Sequence, residues 1–277
     1  MRRIPPLLTP KTAIDILKGE HLISLDLGLT HENIELYNDY AILRGVKISR
    51  DTLYKVSKRK NAVFFVDNNE VFQVAISDNH YYKLVPTEAA PTLEIDGVRM
   101  HRTKGITPEK DAEEKVKILD LNGGMVLDTC AGLGYTATWA LKKGAEAVLS
   151  CEREHQVLKI VQMNPWSANL FGEGIHLILG DIFFSIESTP DSYFDFVIHD
   201  PPRLTHAGEL YGTEFYRRLL RVMVDDGRMF HYTGEPGSKY RGVDLRRGVI
   251  RRLESVGFRE VEYHRSVFGV TCRKPSA

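Results

Sequence analysis

Three carboxylates end three successive apolar runs: Asp128 in MVLDTC, Glu152 in AVLSCE and Asp181 in IHLILGD. Behind Asp128 come Thr129-Cys130-Ala131-Gly132-Leu133-Gly134, then Tyr135 at the start of a helical stretch. Gly132 and Gly134 lack a Cβ, so backbone there can approach a ligand closely or simply turn tightly. Glu152 lies 24 positions after Asp128. A carboxylate so placed can accept from both hydroxyls of a ribose, as the acid after a dinucleotide fingerprint does, or can be an exposed strand-end acid. Asp181 can accept from an adenine amine with Ile182 against the ring, or can cap the helix that follows it. The chain has no G-x-x-x-x-G-K-[ST], which disfavours a nucleoside triphosphate cradle. An acid leading the glycine segment suits a ligand carrying positive charge better than a pyrophosphate. A fourth apolar run, FDFVIH, leads into Asp200-Pro201-Pro202-Arg203, with His199 just before the acid.

These residues need a scaffold that brings strand ends together, and the pattern from residue 125 onward supplies one. Strands are expected at 125–130, 147–152, 175–181, 194–200 and 227–234. Helices alternate with them at 135–144, 155–164, 213–223 and 246–257. FREVEYHR and SVFGVTCRK close the chain as an antiparallel pair. The rhythm predicts an α/β, Rossmann-like doubly wound sheet with an antiparallel last strand, whose ligand sits at the carboxyl ends of the strands. Ahead of it, TPEKDAEEKVKILDL predicts a helix from Thr107 and Pro108. Residues 1–90 predict a small α+β or mostly β module. Its hairpin turns at Asn68-Asn69-Glu70, its helix over 51–60 is capped by Asp51, and a strand spans 71–77. The prolines of VPTEAAPT set the expected boundary, giving domains 1–90 and 91–277.

With these motifs in place, the chain over about 125–277 resembles class I S-adenosylmethionine-dependent methyltransferases. VLDTCAGLGYTA resembles the first motif of that family, Glu152 its ribose acid and Asp181 its adenine-side acid. The resemblance implies S-adenosylmethionine as cofactor. Asp128, Cys130, Gly132, Gly134 and Tyr135 then lie on its methionine side, with Glu152, Asp181 and Ile182 on its nucleoside side. Asp200-Pro201-Pro202-Arg203 resembles the [N/D/S]-P-P-[Y/F/W] signature of methyltransferases that modify exocyclic or amide nitrogens. An aromatic amine is a poor nucleophile because its lone pair is delocalised. Asp200 and a carbonyl of the Pro201–Pro202 segment can each accept one N–H and turn the lone pair towards the methyl carbon, with the prolines stiffening the corner. The fourth position departs from the signature, since Arg203 stands where an aromatic is expected. A guanidinium can stack on a base or hold a phosphate. Tyr211, Phe230 and Tyr232 are candidates for the missing ring. His199 and His231 are each expected to orient neighbours or to carry a proton.

The stretch RMHRTKGITP, VLDTCAGLGYTA, NPWS, HDPPR, AGELYG and FHYTGEPGSKYRG further resembles archaeal predicted methyltransferases similar to the enzymes that form dimethylcytidine in ribosomal RNA. That resemblance implies the 4-amino group of a cytosine as acceptor, methylated once or twice. Residues 44–60 hold seven cations against one acid, and Arg241, Arg246, Arg247, Arg251 and Arg252 crowd a later helix and its approach. Tyr54 and Tyr240 lie nearby. Such clusters read either as phosphate-binding surface or as solvated helix faces. Asn164-Pro165-Trp166 reads as a helix stop with a packed Trp, and His101-Arg102-Thr103-Lys104-Gly105 as a gate over the cofactor half.

Composition frames the rest. The 277 residues carry 37 Lys+Arg and 37 Asp+Glu, and 43% are hydrophobic, which excludes a disordered or collagen-like chain. No apolar run is long enough to span a bilayer, and MRRIPPLLTP makes a poor signal peptide, so a cytoplasmic protein is expected. Cys130, Cys151 and Cys272 show no C-x-x-C spacing; free thiols and no metal are expected. Three rival functions stay open. One is nitrogen methylation of a protein or small molecule. Another is aminopropyl transfer to a polyamine, disfavoured by the single acid beside Arg203. The last is cofactor binding without chemistry.

Overall fold

The computed structural model describes residues 4–204, 206–234 and 245–276. The chain folds into two compact units, one of residues up to Glu109 with Gln156–Ala168, the other of Lys110–His155 with Asn169 onward. The division falls after Glu109 rather than after residue 90, because the hairpin strands Thr92–Ile95 and Val98–Arg99 extend the sheet of Tyr81–Val85.

The second unit is built on a seven-stranded sheet. Its strands are β1 (Met125–Asp128), β2 (Ala147–Glu152), β3 (Ile175–Leu179), β4 (Phe194–His199), β5 (Met223–Tyr232), β6 (Arg259–His264) and β7 (Gly269–Arg273). The spatial order is 3-2-1-4-5-7-6, parallel through β5, with β7 antiparallel to both neighbours. This is the class I methyltransferase arrangement, and the order reverses between β1 and β4, the place where sheets of this kind bind ligands at the carboxyl ends of their strands. In chain order the helices from Pro108 onward are α1 (Pro108–Lys117), α2 (Tyr135–Lys142), α3 (His155–Val161), α4 (Ile182–Ser185), α5 (Thr213–Val222) and α6 (Leu245–Val256), of which α3 after His155 belongs to the first unit. The central strands read as near-continuous apolar runs because helices cover both faces. Phe194, Val197, Phe215, Leu219, Met229, Leu253 and Phe258 form part of one buried core.

The smaller unit is mostly β, with helices Pro10–Leu17 and Arg50–Ser57. Its core gathers Leu25, Leu43, Ile48, Leu53 and Val66. Two local expectations change. Ser49, not Asp51, caps the helix: its hydroxyl accepts from the Thr52 N–H at 3.1 Å, and Asp51 sits in the first turn. The run 71–77 is two strands, Glu70–Gln73 and Ala75–Ser77, which pair in different sheets on either side of Val74. The Asn68-Asn69 turn does form, both residues taking positive φ as a two-residue hairpin requires. No helix among the described residues is long and apolar enough to cross a membrane, and the three cysteines are unpaired.

Candidate active site

The glycine turn leaves β1 at Asp128 and enters α2 at Tyr135, which is buried. Gly134 has a φ of +77°, and a Cβ there would meet the Leu170 side chain at 2.8 Å, so its role is close packing. Gly132, with a φ of +52°, would point a Cβ into open space. Its N–H donates to Glu152 Oε2 at 2.9 Å, while Glu154 N–H donates to Oε1 at 2.9 Å. Burial pushes the Glu152 carboxyl up to about 7, against the hydrogen bonds that lower it.

Asp128 is fully buried. Its Oδ2 accepts from the Ser150 hydroxyl at 2.8 Å and the Thr136 hydroxyl at 3.2 Å. Its Oδ1 is buried with no partner in hydrogen-bonding geometry. Burial lifts its carboxyl to about 6, and the charge of Asp200 adds to the rise. The Cys130 thiol beside it is pushed well up by the same burial. Asp181 does cap a helix: its Oδ1 accepts from Phe183 N–H at 2.9 Å, and Ile182 behind it is buried.

The acceptor corner leaves β4 immediately beside this turn. Thr129 joins the two, its N–H donating to the Ile198 carbonyl at 3.0 Å and its hydroxyl lying 2.8 Å from His199 Nδ1. His199 Nε2 is 3.0 Å from the Leu210 carbonyl, so the ring donates there and accepts from Thr129. Burial drives its basicity down to about 4, leaving a neutral ring. His199 is thus placed as an internal strut, the orienting one of the two roles that the sequence left open for it. His231 packs on it with ring centroids 4.3 Å apart, is bound by the Tyr216 hydroxyl at 2.9 Å, and is also held neutral by burial.

The candidate stacking rings are committed elsewhere. Tyr211 is buried, its hydroxyl donating to the Pro202 carbonyl at 2.9 Å and its ring lying 5.3 Å from that of His231. Phe230 is fully buried, in space that Gly269 leaves open. Tyr232 carries the Lys115 ammonium 4.2 Å from its ring centroid. Arg203, by contrast, is exposed.

Lys115 is the residue that the motifs missed. It reaches from α1 to Asp200 Oδ2 at 2.6 Å and to Asp111 Oδ2 at 2.8 Å, with only 4% of its side chain exposed. Burial alone would lower its basicity, but Asp200 and Asp111 outweigh that and raise it, so the ammonium is permanent. A signal for it existed. Asp111, Ala112, Lys115 and Val116 share the buried helical face, so an acid and a base stand one turn apart where apolar residues belong.

The remaining candidates lie further off. Arg246 stacks over Tyr263 at 4.7 Å, whereas Arg247 and Arg251 are exposed on α6; Tyr240 and Arg241 lie outside the described residues. In the smaller unit, Arg44 pairs with Glu32, Lys55 with Asp51, and Arg50 donates to the Leu17 carbonyl, so the 44–60 cluster is partly neutralised. Trp166 Nε1 donates to the Leu27 carbonyl at 3.0 Å, as a packed Trp does. The ring of His101, the first residue of the expected gate, is 2.9 Å from the Thr92 hydroxyl in the same unit.

The family model described as conserved hypothetical protein 95 matches residues 110–213. A spermidine synthase solved with the transition state analogue AdoDATO superposes with a TM-score of 0.60 at 16% identity, over 76% of this chain and 78% of that one, a likeness of fold. The polyamine aminopropyltransferase of Methanocaldococcus jannaschii is 22% identical over 226 residues, covering 80% of this chain and 70% of that protein. The uncharacterized protein MJ1233 of the same organism is 45% identical over 276 residues, 97% of this chain and 95% of its own, and the chain belongs to the family of that protein.

Proposed function

We propose that the protein moves the methyl group of S-adenosylmethionine to an exocyclic amine, the 4-amino group of a cytosine in ribosomal RNA, once or twice. The observation that carries this reading is the Asp200-Pro201-Pro202 corner, its carboxylate partly exposed at the end of β4 and tied through Thr129 to the glycine turn at the end of β1.

The cofactor fits the residues present. Asp128 offers a buried, unpartnered Oδ1, Gly132 faces open space, and Glu152 retains lone pairs beyond the two backbone N–H groups it accepts. Asp128 would face the charged methionine portion, Glu152 the ribose hydroxyls and Asp181 the adenine side. S-adenosylmethionine supplies a methyl carbon made electrophilic by its sulfonium. Asp200 accepts an N–H of the acceptor amine and directs its lone pair towards that carbon, and much of the rate comes from this alignment. Asp200 need not be a strong base, because the amine becomes acidic once methylated. Tyr211 already occupies the Pro202 carbonyl. That carbonyl keeps one lone pair, and Asp200, as the charged acceptor, is the stronger partner for an amine with one N–H left at a second methylation. Arg203 stacks on the base or binds a phosphate, and Arg247 and Arg251 present exposed cations to the backbone.

Polyamine aminopropyl transfer is the second reading, favoured by the aminopropyltransferase of M. jannaschii, which aligns over 80% of this chain. The two separate in one experiment. The protein is incubated with methyl-labelled S-adenosylmethionine and RNA, DNA or protein fractions, and in parallel with decarboxylated donor and putrescine. Label in N4-methylated cytidine of ribosomal RNA is expected. Label confined to protein, or a product only from the diamine, overturns the proposal. Charge reversal at Arg247 and Arg251 is expected to cut RNA methylation about 10-fold or more at physiological salt, and unchanged activity removes RNA as the substrate.

A further inference from the structure

We propose that Lys115 is a positioning residue for the acceptor corner: its ammonium holds Asp200 through one oxygen and fills the seat that an alkylammonium substrate would need, so the corner takes a neutral, planar amine. This rests on the amine-transfer reading and narrows it to a class of amine.

The surroundings of the ammonium are a complete recognition kit for a primary alkylammonium. Two carboxylates hold Nζ at 2.6 Å and 2.8 Å, and an aromatic face lies 4.2 Å away. Charge-assisted hydrogen bonds and a ring face are the means by which proteins bind such ions. Here the chain supplies the ion itself. A lysine serving only its own helix would be satisfied by Asp111, one turn earlier. Lys115 instead spans 85 positions of sequence to reach the strand end where transfer is proposed.

Two consequences follow for chemistry. Asp200 is held at Oδ2, so its plane is set before an amine arrives. The coupling is also reciprocal. Asp200 raises the basicity of Lys115, and by the same attraction the ammonium favours the ionised carboxylate. Among the described residues, Asp111 from α1, Asp200 from β4 and Tyr232 from β5 face this cluster, with Asp128 and Cys130 of the glycine turn also sensing the charge of Asp200. A protonated alkylamine arriving at Asp200 meets a fixed cation. A cytosine amine, neutral at physiological pH, is not repelled by it.

The test uses Lys115→Ala and Lys115→Arg in the full chain. In Lys115→Ala, kcat for RNA methylation is expected to fall about 100-fold, with donor affinity by calorimetry held within a few-fold. The acid limb of its kcat–pH profile is expected to move up by about one unit or more. Propylammonium chloride replaces the deleted side chain. It is expected to raise the melting temperature of Lys115→Ala, but not of the wild type, and to restore part of kcat. Lys115→Arg retains the charge, so it keeps the wild-type acid limb while losing kcat through altered geometry. If Lys115→Ala does not fold, the Arg variant carries the test through its pH profile. The proposal is overturned by a Lys115→Ala enzyme within three-fold of wild-type kcat, by propylammonium that leaves its melting temperature unchanged, or by an Arg variant whose acid limb shifts. The melting measurement needs no methyl acceptor. A wild type inactive on every RNA thus ends the functional reading while the ammonium seat is still judged by binding.

Discussion

The same edge of the sheet carries two kinds of carboxylate. At the ends of β1 and β2, Asp128 and Glu152 are buried among hydroxyls and backbone N–H groups, and burial lifts them to about 6 and 7. At the end of β4, Asp200 is bound to a buried ammonium. Both arrangements are costly in desolvation, but they leave different capacities. The first pair stores unsatisfied accepting power that a ligand with positive charge or hydroxyl groups can satisfy. The second is already oriented and ionised, so it can direct a nucleophile without first being organised by it. On the proposed function, one edge thus separates holding a donor from aiming an acceptor, and Lys115 contributes to that difference.

Substitutions can break this contrast, and the largest effect belongs to the acceptor side. Asp200→Ala is expected to lower kcat by about 1,000-fold, while donor affinity measured by calorimetry stays within a few-fold of wild type. A matching loss of donor affinity would make Asp200 part of the donor site and dissolve the distinction.

Next in size is the donor side. Glu152→Ala removes the acceptor for the Gly132 and Glu154 N–H groups and is expected to weaken donor binding about 10- to 100-fold. Saturating donor should then restore most of kcat. Undiminished donor affinity, with kcat lost, would exchange the two roles.

The smallest effect is in protons. Asp128 and Glu152 bind protons more tightly in the folded protein than in the unfolded chain, where carboxyls titrate near 4. Between pH 4 and 7 the folded state therefore carries more protons, and stability without ligand falls as pH rises through that window. A sulfonium donor favours both carboxylates in their ionised forms. Its binding at pH 6 is expected to release up to about one proton, read from calorimetry in two buffers of different ionisation enthalpy. Proton uptake would mean that these acids are not the groups the donor meets.

Strands β1 to β4 were legible because each is a short, largely apolar run with glycines or acids at its ends, and β2 matches its expected bounds at both ends; β5 begins at Met223, four residues before its expected start. In the smaller unit the same alternation was ambiguous. The stretch 71–77 reads as one strand, yet it serves two sheets, pairing backwards with Phe64–Asp67 and forwards with Tyr81–Val85. The acidic strand ends and the D-P-P corner were likewise visible as residue types at recurring positions. The fates of the histidines and tyrosines were not. The sequence left His199 and His231 open between orienting a neighbour and carrying a proton, and offered Tyr211 as a stacking ring; in three dimensions all three are struts.

The chain by itself determined the parts that depend on neighbours in sequence: the glycine turn, the carboxylates closing β1 to β4, the proline corner and the alternating rhythm that makes a doubly wound sheet. Those follow from backbone sterics and hydrophobic periodicity, which act over a few residues. Only the tertiary structure decided which of these acids is paired with a cation and which is held by neutral donors. Lys115 reaches Asp200 from 85 positions away, and Asp128 is sealed from water by packing. Burial and ion pairing are properties of the assembled interior, where a short distance in space bears no relation to distance along the chain.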